Sequence, residues 1–388
     1  MSDTVLRGRL VTGGSVVEDG VVAVVGDRIT FAGPTACWSG EVPPPAPDRL
    51  LLPGLVDVHC HGAAGHGFPD ADADGVLTAA AHHRAHGTTT LVASLVSAPA
   101  KVLQARLALL TPLVQADELA GVHLEGPFLS AARCGAQDPA ALLPGDPALL
   151  GELLASGTVV SMTLAPETAH ARALVAVLRE HGALPSFGHT DASATATNAA
   201  IRSAALGGPV SATHLFNAMP PLLSREPGPV AACLAAATRG ELVVELIADG
   251  VHLDPQTVAM VFELVGPERI ALITDAMAAA GMHDGRYRLG ALPVEVAGGT
   301  ARLVTDVGPG PIAGGTARLI DVVRETVAAG VPLADAVLAA SETPARLLGL
   351  AQVGRLAPGA RADVLITDPQ LHPTAVLRAG AWVRREED

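Results

Sequence analysis

Leu50-Leu51-Leu52-Pro53-Gly54-Leu55-Val56-Asp57-Val58-His59-Cys60-His61 carries an apolar run directly into two histidines. Its continuous hydrophobicity over residues 50–58 reads as a buried strand. Residues two apart on a strand share a face, with Cα atoms about 6–7 Å apart. His59 and His61 therefore project together from the strand end and can present two imidazoles to one metal ion, while Cys60 turns to the opposite face. Two ligands do not complete a site, so the remainder must come from elsewhere in the chain.

The surrounding sequence repeats this kind of segment. Residues 55–59, 89–93, 121–124, 159–164, 185–188, 211–214, 243–247 and 270–274 are short apolar strand candidates, and between them lie Ala-rich helical runs such as 72–86, 101–113, 169–181 and 256–264. Eight strands alternating with helices over residues 53–347 predict an α/β fold, a (β/α)8 TIM-type barrel. An open doubly wound sheet is the alternative, and no GxGxxG strand-to-helix turn supports it. Both ends of the chain are β-rich, at residues 5–10, 16–17 and 21–29 and again at 354–356, 362–367 and 381–384, with Pro-rich 42–47 as a linker. A small β-sandwich domain formed from residues 1–52 plus 348–388 is expected.

Composition narrows the function classes. With 388 residues and 49% hydrophobic content the chain can bury a large core, which excludes a disordered or fibrous protein. Only 2% of residues are aromatic, so the core must be built from Ala, Val and Leu, and few rings remain for stacking on bases. A net charge of −14 disfavours nucleic acid or an anionic membrane as partner. Residues 1–8 lack the pattern of a signal peptide, and no apolar stretch is long enough to span a bilayer. Cys37, Cys60, Cys134 and Cys233 show no CxxC spacing and read as reduced thiols of a cytoplasmic protein.

Active sites of such barrels form at the C-terminal ends of the strands. His59 and His61 end the first strand candidate, Glu125 follows the third, His189 follows the fifth, His214 ends the sixth and Asp275 follows the eighth. Any one of these alone reads as a polar loop residue; their recurrence at one structural level points to a site. Imidazole nitrogen and carboxylate oxygen suit a divalent ion such as Zn2+, with Fe2+, Mn2+ and Co2+ as alternatives. One economical partition places His59 and His61 on a first ion and His189 and His214 on a second, with Glu125 as the bridge. Asp275 then faces the reacting water, as a weak ligand or as a free general base. This set implies metal-assisted amide hydrolysis, with Asp275 passing a proton to the leaving amine.

Longer motifs surround these residues: Pro53-Gly54-Leu55-Val56-Asp57-Val58-His59-Cys60-His61-Gly62, His123-Leu124-Glu125-Gly126-Pro127-Phe128, Gly188-His189-Thr190-Asp191, Thr213-His214-Leu215-Phe216-Asn217-Ala218-Met219-Pro220, Arg225-Glu226-Pro227-Gly228, Ile247-Ala248-Asp249-Gly250-Val251-His252 and Thr274-Asp275-Ala276-Met277. In these the chain resembles the N-acetylglucosamine-6-phosphate deacetylase family, a branch of the amidohydrolase superfamily, over essentially its whole length. The first motif is superfamily-wide; those around Glu125 and His214 are far narrower.

The resemblance implies a homodimer, a phosphorylated amino-sugar substrate and Asp275 as catalytic acid/base. Because His59 and His61 are both present, it implies two divalent ions per chain. It also implies a phosphate clamp of Arg225 and His252 with backbone donors at Asn217 and Ala218, part of it supplied by the neighbouring subunit. His123 shares a strand face with Glu125 and is expected either to line the pocket or to pack as a hydrogen-bonded barrel histidine. Gln137 stands where many relatives carry a sugar-contacting histidine, and its amide can bond the sugar without carrying charge. Gly315, in Ile312-Ala313-Gly314-Gly315-Thr316, replaces a more usual serine and is expected to loosen that loop and admit a larger acyl group. Two other readings stand beside this one. A dipeptidase, cyclic-amide hydrolase or deaminase is another amidohydrolase reading; such enzymes often bridge two metals with a modified lysine, yet no barrel strand contains lysine. An inactive scaffold would have lost a ligand, yet none is missing.

Overall fold

Eight short strands pair in chain order into one parallel sheet in the computed structural model, which describes residues 4–306 and 308–385. They are β1 (Leu55–Cys60), β2 (Thr88–Leu95), β3 (Gly121–Glu125), β4 (Val159–Leu164), β5 (Leu184–Phe187), β6 (Ser211–Ala212), β7 (Val243–Leu246) and β8 (Ile270–Leu272). Each overlaps one of the anticipated segments. Nearly every residue in them is buried, because helices cover the outer face and side chains fill the interior. Asp72, Asp146, Ser193 and Asp254 cap the N-termini of four of the helices through their side chains, which fixes where each helix begins. Among the described residues no helix is long and apolar enough to cross a membrane.

The seam between β1 and β8 closes the barrel with individual bonds. The Asp275 N–H donates to the His59 carbonyl at 3.0 Å, and the His61 N–H donates to Ala276 at 2.7 Å. Asp57 reinforces them from inside. Its carboxylate accepts from the Thr274 hydroxyl at 2.6 Å, from the Thr274 N–H at 3.4 Å and from the His59 N–H at 3.3 Å. Burial pushes the Asp57 carboxyl up to about 6, against the opposing pull of these donors.

Both termini contribute to a separate seven-stranded sheet, in the order Ala381–Arg384, Pro373–Arg378, Val364–Thr367, Leu50–Pro53, Thr4–Thr12, Ser15–Val25 and Arg28–Pro34. Leu10, Val22, Leu51, Val364, Ile366 and Leu377 belong to its own core. Several boundaries differ from the sequence reading. The expected strand over 50–58 divides at Gly54, so that Leu50–Pro53 joins the terminal sheet and Leu55–Cys60 the barrel. A Cβ at Gly54 would lie 2.1 Å from Thr89 Oγ1 and 2.8 Å from Asp363 Cβ, so the chain passes between the sheets only without a side chain. Residues 21–29 divide at a turn where Gly26 takes φ +62°. Residues 354–356 form no strand, although Leu356 packs into the terminal core. Pro373–Arg378 was not anticipated.

After β8 comes an unanticipated three-stranded antiparallel sheet, Gly285–Leu289, Leu292–Ala297 and Thr300–Leu303. Its alternating strands and the turns at Gly290 and Gly298-Gly299 are legible once the barrel is known. It packs on Val96, Met277 and Ala313 and overhangs the C-terminal end of the barrel.

Replacing Asp57 by Ala leaves three buried donors without an acceptor and is expected to destabilise the metal-free protein by about 3 kcal/mol. Asp57→Asn, which keeps an acceptor oxygen, should cost less. Chemical denaturation measures both, and an Ala variant as stable as the parent would show that the seam does not depend on this carboxylate.

Candidate active site

Six side chains converge at the C-terminal mouth of the barrel. His59 and His61 come from the end of β1, and Glu125 is the last residue of β3. His189, His214 and Asp275 lie just beyond β5, β6 and β8. These last three take φ of +47°, +27° and +48°. Non-glycine residues adopt this region at a cost of about 1–3 kcal/mol each, and such strain gathers at functional sites.

The donor atoms form two groups, His59 with His61 and Asp275, and Glu125 with His189 and His214, each set within 4.8 Å. Glu125 spans both. Its Oε1 lies 2.9 Å from His189 Nε2 and 3.0 Å from His214 Nε2, and its Oε2 lies 3.1 Å from His61 Nε2. Asp275 Oδ1 stands 3.2 Å from His61 Nε2 and 3.5 Å from His59 Nε2. The structure thus brings together all six residues of the proposed partition and puts Glu125 between the pairs. Cys60 faces away, with its Sγ 3.3 Å from His83 Nε2.

The outer contacts of the imidazoles set their chemistry. His59 Nδ1 is 3.2 Å from Glu245 Oε2, His61 Nδ1 is 3.1 Å from the Ser94 carbonyl, and His189 Nδ1 is 2.9 Å from the Arg133 carbonyl. These oxygens only accept, so each Nδ1 carries its proton and each ring, when neutral, directs the Nε2 lone pair inward. Yet the Nε2 atoms of His59 and His61 lie 3.2 Å apart, and those of His189 and His214 lie 3.1 Å apart. For His59 and His61, whose Nδ1 atoms both face acceptors, facing lone pairs at this distance repel unless a proton or a metal ion lies between them. The donor set therefore fits divalent cations.

Electrostatics agree with this. Burial opposes charge on His61, but the Asp275 and Glu125 carboxylates outweigh it and push the ring up to about 9. His59 is raised against burial by Asp275, Glu125 and Glu245. Burial would raise the Glu125 carboxyl, yet the four surrounding histidines hold it well below the usual carboxylate range. Asp275 is likewise lowered, against burial, by His59 and His61.

The remaining expected residues divide by position. Gln137, Asn217, Ala218 and His252 line a cavity of about 210 Å3 whose floor holds Glu125, His189, His214 and Asp275. Gln137 is buried, donates from Nε2 to Glu125 Oε2 at 2.6 Å and accepts the Ser97 N–H at 2.7 Å, so its first contact is with the Glu125 carboxylate. His252 is held by Asp249 Oδ2 at 2.8 Å from its Nδ1; burial opposes its charge, but this carboxylate raises its pKa. The Asn217 N–H already donates to the His214 carbonyl at 3.0 Å, so it is not a spare backbone donor. His123 stands behind the cluster, with Nδ1 3.0 Å from Ser94 Oγ and Nε2 2.8 Å from Thr163 Oγ1, and does not line the cavity. Arg225 is exposed and also lies outside the cavity of its own chain.

The loop at Gly315 corrects an expectation. The Gly315 N–H donates to Asp275 O at 2.7 Å, its carbonyl accepts from Met277 at 2.9 Å, and a Cβ there would lie 2.4 Å from Thr274 O. The glycine marks a tight approach to the β8 backbone rather than a loosened loop, and it does not widen the cavity. Two contributors went unread. Leu289 enters the cavity from the three-stranded insertion, and Glu245 backs His59 from the middle of β7. An acid inside the apolar run Val243–Leu246 was the available signal, passed over because it does not end a strand.

Comparison with known proteins agrees with this geometry. The amidohydrolase family model matches residues 50–384. An N-acetylglucosamine-6-phosphate deacetylase of Bacillus subtilis strain 168 is 35% identical over 306 residues, covering 76% of this chain and 75% of that protein. An N-acetylgalactosamine-6-phosphate deacetylase of Escherichia coli O157:H7 is 37% identical over 332 residues, covering 84% of this chain and 85% of its own. The structure of a mutant N-acetyl-D-glucosamine-6-phosphate deacetylase from Mycobacterium smegmatis, in complex with N-acetyl-D-glucosamine-6-phosphate, superposes with a TM-score of 0.90. It is 42% identical and covers 99% of this chain and 100% of that one.

With His61 raised to about 9 in the metal-free site, its ring holds a proton at pH 7 that an incoming cation must displace. Metal affinity should therefore increase as pH rises toward about 9, and binding at pH 7 should release at least one proton per chain. Calorimetry in buffers of different ionisation enthalpy reads this directly; binding without proton release would contradict it.

Proposed function

The chain belongs to the amidohydrolase family, and on that footing we propose that it hydrolyses N-acetylglucosamine 6-phosphate to glucosamine 6-phosphate and acetate. The carrying observation is the Glu125 carboxylate, within 3.1 Å of His61, His189 and His214 at the floor of a cavity that Asp275 also faces. The substrate follows from relatives with this activity that match along most of the chain.

The ligand set suits two zinc ions per chain, one held by His59, His61 and Asp275 and the other by His189 and His214, with Glu125 between them. Bound there, such ions lower the pKa of a water molecule and polarise the amide carbonyl. Asp275 accepts the proton of the attacking water and delivers it to the departing nitrogen, which must leave as an amine. Glu125 stays ionised throughout, fixed by its histidines and by Gln137. His252, its Nδ1 anchored on Asp249, offers its other ring nitrogen to the substrate phosphate, and the Ala218 N–H and Asn217 side chain line the same wall. Gln137 keeps one amide hydrogen for the sugar.

Arg225 fits a role across a homodimer. It lies on an exposed loop with Leu222 and Leu223, 50% and 51% exposed, an apolar surface suited to a second copy of the chain. From there its guanidinium completes the phosphate site of the neighbouring subunit. The four cysteines are free thiols, in keeping with a cytoplasmic enzyme.

Acetate release from 6-phosphorylated and free N-acetylglucosamine, and from the galactosamine epimer, before and after metal removal, tests the reading; no release from any phosphorylated sugar by the metal-replete protein would end it. Asp275→Asn, assayed with enough zinc to fill both sites, should lower kcat by about 100-fold or more, and turnover like the parent's would remove Asp275 from the mechanism. Arg225→Ala should chiefly raise KM for the phosphorylated sugar. A parent enzyme that uses the free sugar equally well would refute the phosphate clamp.

A further inference from the structure

Strand β7 is buried, and among its four residues Glu245 is the one ionisable side chain, 5% exposed. A carboxylate in such a place is strongly disfavoured unless a positive charge compensates it. Among the described residues no arginine or lysine pairs with it. Its ionic contact is His59, whose Nδ1 lies 3.2 Å from Oε2. The same Oε2 lies 3.4 Å from the backbone N of His214, and the Glu245 carbonyl accepts the Leu215 N–H at 2.8 Å. One residue thus grips the ring of a ligand in the first group and the backbone of a ligand in the second.

Resting on the two-ion reading above, we infer that Glu245 is the positioning residue that secures the first metal ion, by holding His59 as the Nδ1–H tautomer and supplying the charge behind it. The comparison within the site favours this. His61 and His189 rest on the neutral carbonyls of Ser94 and Arg133, whereas His59 alone among these three is backed by a carboxylate. A carboxylate behind an imidazole makes it a stronger donor to a metal and fixes the ring plane. Asp275 and His61 complete the first group, but neither has a comparable anchor outside the cavity. Loss of Glu245 should therefore empty the first site before the second.

The test uses the full chain, stripped of metal and titrated with Zn2+ against a chromophoric chelator, as parent, Glu245→Gln and Glu245→Leu. The parent is expected to bind two ions. Glu245→Gln, which keeps an acceptor for Nδ1–H but loses the charge, should weaken one site by about 10- to 100-fold and leave the other within about threefold. Glu245→Leu should weaken the same site further. If the leucine variant does not fold, the near-isosteric glutamine variant decides the matter, because a purely structural role would not weaken one site selectively. Two ions bound by Glu245→Gln with parental affinities would overturn the inference alone. A parent that binds one ion under metal-replete conditions would overturn the two-ion reading, and this inference with it.

Discussion

Four imidazole nitrogens and two carboxylates face one another at the barrel mouth, and they hold together only with positive charge between them. The His59–His61 pair of Nε2 atoms at 3.2 Å makes this concrete, because both Nδ1 atoms face oxygens that only accept and already carry their protons outward. Protons meet the demand in the metal-free protein, which is why His59 and His61 are raised while Glu125 and Asp275 are lowered. A divalent ion meets it better, since it supplies two charges where several protons would crowd.

The fold serves that constraint by delivering each ligand from a different strand. β1, β3, β5, β6 and β8 all release their ligand at the same level, and the left-handed turns at His189, His214 and Asp275 bend those side chains into the centre. Asp57 ties β1 to β8 across the seam, so the strand bearing His59 and His61 keeps its height relative to Asp275. The three-stranded insertion then roofs the mouth and sets Leu289 into the cavity wall.

The eight barrel strands are legible as short apolar runs separated by helical stretches, and the candidate ligands are legible because each lies at the end of its strand or within three residues beyond it. The terminal sheet is less legible. Its division at Gly54 depends on Thr89 and Asp363, which are distant in sequence, and Pro373–Arg378 opens with a proline that lowers its strand character. The insertion was missed because its strands follow eight that already satisfied a complete barrel.

What the sequence determined by itself was the barrel, from the local periodicity of its strands, a set of candidate metal ligands, from residues at or just past strand ends, and the family, from the motifs around those residues. Only the tertiary structure decided that Gln137 bonds Glu125, that His123 packs behind the cluster, that Gly315 lies tight against Thr274 and that Glu245 stands behind His59. Each of these is a contact between segments far apart in the chain. A side chain's own neighbours in sequence show whether it is buried, but not which distant atom it meets there.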